Sequence, residues 1–210
     1  MMLILGMALS YLLGSIPTAY IYGKLTKKID IREHGSGNIG ATNVFRVLGK
    51  GAGIVVLILD ILKGLLAVWM IGDVLGLVEN YQRIILSLCV VVGHNWTIFL
   101  GFKGGKGIAT SLGVLIGLTI KIASIRMVLI ITLLVWAGTF LFTGIVSLSS
   151  LLAAIMLPII MVLTSQSFEI ILLGIIFCVF VVLRHRPNIK RILAGQEHKV
   201  DLPFHKKKAS

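Results

Sequence analysis

Between Gly93 and Thr110 the chain reads GHNWTIFLGFKGGKGIAT, with four glycines (Gly101, Gly104, Gly105, Gly107) and two lysines (Lys103, Lys106) inside seven residues. Glycine lets backbone N–H groups approach a ligand closely and adopt positive φ. Successive N–H groups turned into one concavity form an anion nest, beside which a lysine adds a full charge. The chemistry this suits is the holding of a phosphate. A nucleotide loop is excluded by spacing. Leu100 stands where Gly-x4-Gly-Lys-Ser/Thr needs its first glycine, and Gly107 follows Lys106. His94, at the end of the apolar run leading into the turn, is a candidate acid–base group; the plainer reading is a packed, hydrogen-bonded histidine.

Two further clusters carry similar side chains. Residues 36–46 read SGNIGATNVFR, in which Ser36, Gly37, Asn38, Gly40, Thr42, Asn43 and Arg46 offer backbone, hydroxyl, amide and guanidinium donors to one anion. A glycine-rich turn with capping Ser and Asn before a helix explains the same residues without a ligand. The third cluster, HRPNIKR at 185–191, is followed by Gly195 and Glu197. His185 and Asn188 stand at i, i+3 and share a face if the helix continues. A basic membrane-surface tail is the plainer reading there, and it suffices for Lys206-Lys207-Lys208.

The elements that must position these groups are spans. The chain has 210 residues, 57% of them hydrophobic and 13% charged, with a mean hydropathy of +1.02. Soluble domains are about 45–50% apolar and about 25% charged, so most of this chain must meet lipid. A net charge of +12 suggests nucleic acid at first sight, but positive-inside loops explain it in a polytopic membrane protein. Cys89 and Cys178 lie inside apolar runs, without metal-like spacing or a disulfide framework.

Apolar runs at 2–23, 52–72, 82–100, 108–120, 127–142, 146–164 and 169–183 predict an all-α integral membrane bundle of seven transmembrane helices in a single domain, 1–210. Pro17 is expected to kink the first. That run lacks a preceding basic residue and a small-x-small cleavage site, so it is expected to stay as a span. The run 108–120 is short for the ~30 Å hydrocarbon layer. The loop 24–51 holds six Lys/Arg, the turn 101–107 two and the tail from Arg184 eight, sixteen of the twenty, and all fall on one side if seven crossings hold. That side is expected to be cytoplasmic, with the N-terminus outside. Asp60 and Lys63, in the second span, are costly in lipid and predict a mutual i, i+3 pair supporting the site. No internal repeat of transporter type is visible.

The three clusters resemble the three cytoplasmic motifs of the bacterial acyl-phosphate:glycerol-3-phosphate acyltransferases, the PlsY family. The resemblance rests on SGNIGATNVFR at 36–46, GHNWTIFLGFKGGKGIAT at 93–110 and HRPNIKRILAGQE at 185–197, about a fifth of the chain, with Ile192 where leucine is more usual. It implies transfer of a fatty acyl group from acyl phosphate to the 1-hydroxyl of sn-glycerol 3-phosphate in a multi-pass protein of the bacterial inner membrane, with the site on the cytoplasmic side. The acyl phosphate is already an activated anhydride, so no covalent intermediate is needed. There is accordingly no Gly-x-Ser-x-Gly elbow, and no histidine has an aspartate five residues on.

Under this resemblance Ser36, Arg46 and Lys106 grip the phosphate of glycerol 3-phosphate. The amides of Gly40–Asn43 and Gly104–Gly107, with Lys103 nearby, hold the acyl phosphate. His185 and Asn188 orient the hydroxyl or polarise the carbonyl, with His94 and Ser150 (inner end of the sixth span) as further candidates. The proton goes either to His185 or to a substrate phosphate. No cofactor, metal, nucleic acid or obligate protein partner is expected. The competing class is a membrane transporter or channel for a phosphate-bearing anion, with the glycine–lysine turn as a re-entrant filter.

Overall fold

The computed structural model describes residues 1–200, which are helical with no strand among them. The Lys206–Lys208 run therefore lies outside the described residues. The helices are α1 (Met2–Ser15), α2 (Thr18–Lys27), α3 (Ala41–Leu48), α4 (Lys50–Leu66), α5 (Asn80–Asn95), α6 (Ile108–Lys121), α7 (Ile125–Thr143), α8 (Val146–Leu163), α9 (Phe168–Arg184) and α10 (Arg186–Leu193). A π-turn (Ala67–Ile71) carries α4 on to Val74.

Each of the seven apolar runs becomes a helix, but not every one is long enough to cross alone. Met2–Lys27, Lys50–Val74, Asn80–Leu100, Ile125–Thr143 and Val146–Leu163 are long and apolar enough. The seventeen residues of α9 reach that length only with α10, from which α9 is bent by 64°. The fourteen residues of α6 extend about 21 Å against a hydrocarbon layer of about 30 Å. Of the α7 window only 11% is buried, so this helix faces lipid on most sides.

Two expectations are revised. Pro17 does more than kink the first run: lacking an N–H, it breaks the ladder, and the helix restarts at Thr18. The segment 24–51 is not simply a loop. It contains the end of α2, a 3-10 turn (Ile31–Glu33) and α3. Ala41, Val44, Val47 and Leu48 recur at helical spacing and bury against α4 in a cluster with Ala19, Ile31 and Val56. Polar residues around this short amphipathic stretch mask it in a hydropathy reading. The tail likewise folds: Ile189 and Ile192 of α10 pack on Leu151, Ala154 and Val181.

Close backbone approach joins the bundle. The helix α1 packs on α5 through Gly14, where a Cβ would overlap the Val90 carbonyl, and Gly93, where one would overlap the Tyr11 carbonyl. The helix α4 packs on α6 in the same reciprocal way, with Gly64 against the Thr110 carbonyl and Gly113 against that of Ile61. Apolar helices gain little by leaving one apolar medium for another, so tight contact at small residues is what holds such pairs. Gly113→Ala should therefore force α4 and α6 apart and cost about 1–3 kcal/mol. Gly138→Ala on α7, with open space around it, should be neutral or stabilising by up to about 1 kcal/mol. Thermal unfolding of both variants in detergent checks the contrast, and equal melting temperatures would refute it.

Candidate functional site

The turn after α5 is built by doubling back. Gly104 N–H donates to the Asn95 carbonyl (3.1 Å) and Gly105 N–H to that of His94 (2.9 Å), so the turn covers the end of α5. A Cβ on Gly104 would overlap the His94 carbonyl, and one on Gly105 the His94 ring. These two glycines permit contact with the protein itself, and their amides are spent there; the N–H groups of Lys106 and Gly107 have no such partner among the described residues. Gly101 and Gly107 take positive φ of 61° and 82°, and α6 starts from Gly107.

Lys106 leaves this turn and meets the third cluster. Its Nζ donates to Asn188 Oδ1 (2.5 Å), and Asn188 Nδ2 donates to Glu197 Oε1 (2.6 Å). An ammonium only donates and a carboxylate only accepts, so both ends of the Asn188 amide are fixed. Glu197 also receives Ser147 Oγ (2.9 Å) and Arg191 Nε (2.7 Å). Burial opposes its charge, but the bonds from Arg191, Asn188 and Ser147 outweigh this and hold the carboxyl below its usual range. The Lys106 ammonium is pushed down to about 8. Burial is the first cause; the pull of Glu197 opposes it, and the charges of Arg191, Arg184 and Arg46 add to it.

His185 lies at the bend between α9 and α10, 3% exposed. Its Nδ1 is 2.8 Å from the Val181 carbonyl, which can only accept, so the proton is on Nδ1 and Nε2 keeps a lone pair. Arg184, one residue earlier, donates from Nη2 to the Gly104 carbonyl (2.6 Å) and from Nε to that of Gly105 (2.9 Å). The second and third clusters are thus in direct contact.

The first cluster approaches from α3. Arg46 is exposed, without a hydrogen bond or ion pair among the described residues, and its charge is felt at Lys106. Asn43 organises the loop instead of facing out: its Oδ1 accepts from Ser36 N–H (2.8 Å), and its Nδ2 donates to the carbonyls of His34 (3.0 Å) and Ile31 (3.3 Å). Gly37 takes φ 69°. Ser36 and Thr42 are exposed, Asn38 is half-buried with its amide over Gly40, and Gly40 caps α3. Lys103 is exposed beside Phe102, without a side-chain hydrogen bond or ion pair among the described residues.

Beneath the turn is a buried polar layer. Lys63 Nζ lies 2.8 Å from Asp60 Oδ1, as the i, i+3 spacing predicts, and donates to the Ile16 carbonyl (3.2 Å) at the Pro17 break. Thr18 Oγ1 donates to Asp60 (2.6 Å), and Thr97 Oγ1 to the Ser15 carbonyl (2.5 Å). His94 Nδ1 stands 3.8 Å from Asp60, too far for a hydrogen bond. His94 therefore supports the turn from below, its ring against Gly105, and is not hydrogen-bonded to Asn188 or His185. Ser150 accepts from Trp136 Nε1 (3.2 Å) and sits one turn past Ser147 on α8. Arg184, Glu197 and Ser147 are the participants missed from sequence. A cation in a last helical turn looks like a membrane anchor, whereas Glu197, the one acid in the basic segment 184–200, carried a readable signal.

Residues 4–195 match the family model described as glycerol-3-phosphate acyltransferase. The glycerol-3-phosphate acyltransferase 2 of Moorella thermoacetica is 42% identical over 199 residues, covering 95% of this chain and 98% of that protein. The glycerol-3-phosphate acyltransferase of Halalkalibacterium halodurans is 43% identical over 195 residues (91% and 92%). Crystal structures of PlsY, an integral membrane glycerol 3-phosphate acyltransferase, superpose with TM-scores of 0.86 for the glycerol 3-phosphate form and 0.82 for the lysophosphatidic acid form. Both are 36% identical to this chain and cover 95% of it, over 96% and 95% of their own lengths.

The buried pair beneath the turn gives a test. Asp60→Ala strands the Lys63 ammonium and should cost about 3–5 kcal/mol. Asp60→Leu combined with Lys63→Met should recover most of that loss, read as melting temperature in detergent. A double variant no better than Asp60→Ala would show that the pair is not the source of the cost.

Proposed function

The chain belongs to the glycerol-3-phosphate acyltransferase family, and from that premise we propose that it moves a fatty acyl group from acyl phosphate to the 1-hydroxyl of sn-glycerol 3-phosphate. The products are lysophosphatidate and inorganic phosphate. The observation that carries the reading is the contact of the second and third clusters at Lys106, within the field of Arg46 from the first. Asn188 is bonded to its ammonium, Arg184 grips the turn that bears it, and the charge of Arg46 reaches it. Cations from three segments gathered round one ammonium need an anion, and a phosphate dianion supplies it.

In the reaction the hydroxyl oxygen forms a bond to the acyl carbon, the carbon–oxygen bond to phosphate breaks, and phosphate departs with the electron pair. Ser36, Arg46 and Lys106 hold the phosphate of glycerol 3-phosphate. The free amides of Lys106 and Gly107, with those opening α3, take the donor phosphate, and Lys103 adds charge at the surface. His185, with Nδ1–H given to Val181, offers Nε2 as acceptor to the attacking hydroxyl, and Asn188 holds Lys106 in register. The proton of that hydroxyl goes either to this Nε2 or to a substrate phosphate oxygen, with a second pKa of about 6.

Seven crossings with the motif-bearing ends on the cytoplasmic face of the inner membrane suit this chemistry, since both phosphates are then reached from the cytosol and the acyl chain from lipid. The transporter reading is less well supported, because the polar clusters gather at one end of the bundle.

Purified protein given palmitoyl phosphate and glycerol 3-phosphate should release phosphate only when both are present, with palmitoyl-CoA inert. Turnover of the CoA ester, or of neither donor, would overturn the proposal. The pH dependence follows from Lys106, pushed down to about 8. Below that pH the ammonium is charged and grips phosphate. Above it the free enzyme must take up a proton to bind, so KM for glycerol 3-phosphate should rise about tenfold per pH unit, with kcat changing less. A KM flat across that range would contradict the role given to Lys106.

A further inference from the structure

Two consecutive peptide units precede Lys106, and they are held unequally. The unit joining Gly104 to Gly105 is fixed at both ends: its carbonyl accepts from Arg184 Nη2 (2.6 Å) and its N–H donates to the His94 carbonyl (2.9 Å). The unit joining Gly105 to Lys106 has one tie, the bond from Arg184 Nε to the Gly105 carbonyl (2.9 Å). The N–H of Lys106 has no partner among the described residues. In a chain as permissive as Gly104-Gly105, the orientation of the peptide that launches the Lys106 side chain therefore depends on one guanidinium.

That guanidinium is itself held. It lies over the Trp96 ring at 5.9 Å, and Trp96 packs edge-on against Phe180 at 5.3 Å, one turn before Arg184 on α9. Trp96 also ends α5, so the clamp joins the end of one helix to the end of another across the turn.

From this we infer that Arg184 is a positioning residue for acyl transfer, fixing the Gly104–Gly105 peptides so that the Lys106 ammonium stands where a substrate phosphate is held. The inference rests on the acyltransferase reading above. Lysine cannot replace Arg184, because an ammonium offers no planar fork to two successive carbonyls. The charged groups around Lys106 are Arg46 of α3, Arg184 of α9, Arg191 of α10 and Glu197 beyond it. Arg184 thus also contributes to the positive field in which Lys106 titrates.

The experiment measures KM and kcat for glycerol 3-phosphate with palmitoyl phosphate, across pH, for the wild type, Arg184→Lys and Arg184→Gln, with melting temperatures in detergent. Arg184→Lys keeps the charge and loses the fork. Its KM should rise about tenfold or more while kcat stays within about twofold and the alkaline limb stays in place. Arg184→Gln should raise KM similarly and move the alkaline limb to higher pH, because one cation beside Lys106 is gone. If Arg184→Gln does not fold, the KM of Arg184→Lys decides alone. An unchanged KM in Arg184→Lys, with activity lost only in proportion to folded protein, means a structural role and overturns the inference. So does a fall in kcat at constant KM, which would mean contact with the reacting atoms. Either result leaves the acyltransferase reading standing if the wild type turns over; a wild type inert with both donors overturns the reading and the inference together.

Discussion

An ammonium set among guanidinium groups is the constraint around which this structure is arranged. Lys106 has Arg46, Arg184 and Arg191 as neighbours, and Glu197 is the anion that compensates them. Like charges gathered this way raise the free energy of the arrangement. The excess is reduced by routing Glu197 through Asn188 to Lys106 instead of pairing it directly. A direct ion pair would neutralise the lysine and leave little field for a phosphate. The amide between them passes on orientation and part of the charge, while the site stays net positive. Glu197 in turn is tied down by Ser147 and Arg191, so the start of α8, the bend after α9 and the turn before α6 are bound into one unit.

The bundle beneath has the opposite problem, polar groups where lipid cannot solvate them. At the Pro17 break the Ile16 carbonyl accepts from Thr18 N–H (3.0 Å), and the buried Lys63 also reaches it while bonding Asp60, which accepts from Thr18 Oγ1. The charge pair thus takes two of its partners from the helix break, the Ile16 carbonyl and the Thr18 hydroxyl, as polar groups buried at this depth require. The far end of the bundle solves a similar problem with a π-turn: Arg83, 2% exposed, donates to the Val68 carbonyl and pairs with Asp73, which also meets Lys121. Polar residues inside this bundle thus join helices that have little apolar reason to associate.

The spans, the Asp60–Lys63 pair and the three polar clusters were legible in the sequence, because each is a strong local signal: long apolar runs, an i, i+3 charge pair in lipid, and glycine–cation density. What escaped depends on three-dimensional neighbours. The eight residues of α3 are too few to stand out from their polar flanks, and α10 is polar on the face that a hydropathy reading averages in. Asn43 looked like an anion donor because its type suits one, yet the partners that saturate it, Ile31, His34 and Ser36, lie seven to twelve residues upstream. Arg184 sits 79 residues from the Gly105 carbonyl it holds, and no local pattern marks such a contact.

The glycines show how one sequence signal can have two physical causes. Four of them beside two lysines read as a nest in which backbone N–H groups turn toward a phosphate. Gly104 and Gly105 turn theirs inward, onto the last carbonyls of α5, and lack a Cβ because the His94 carbonyl and ring occupy that space. Any part they play in the proposed anion site is therefore indirect. They let the turn fold flat against the helix end, which brings Lys106 within reach of Asn188 and leaves the amides of Lys106 and Gly107 as the open ones. On the proposed reading, the amides that bind the anion lie one residue later than the glycine pair, and their placement depends on how firmly that pair is held.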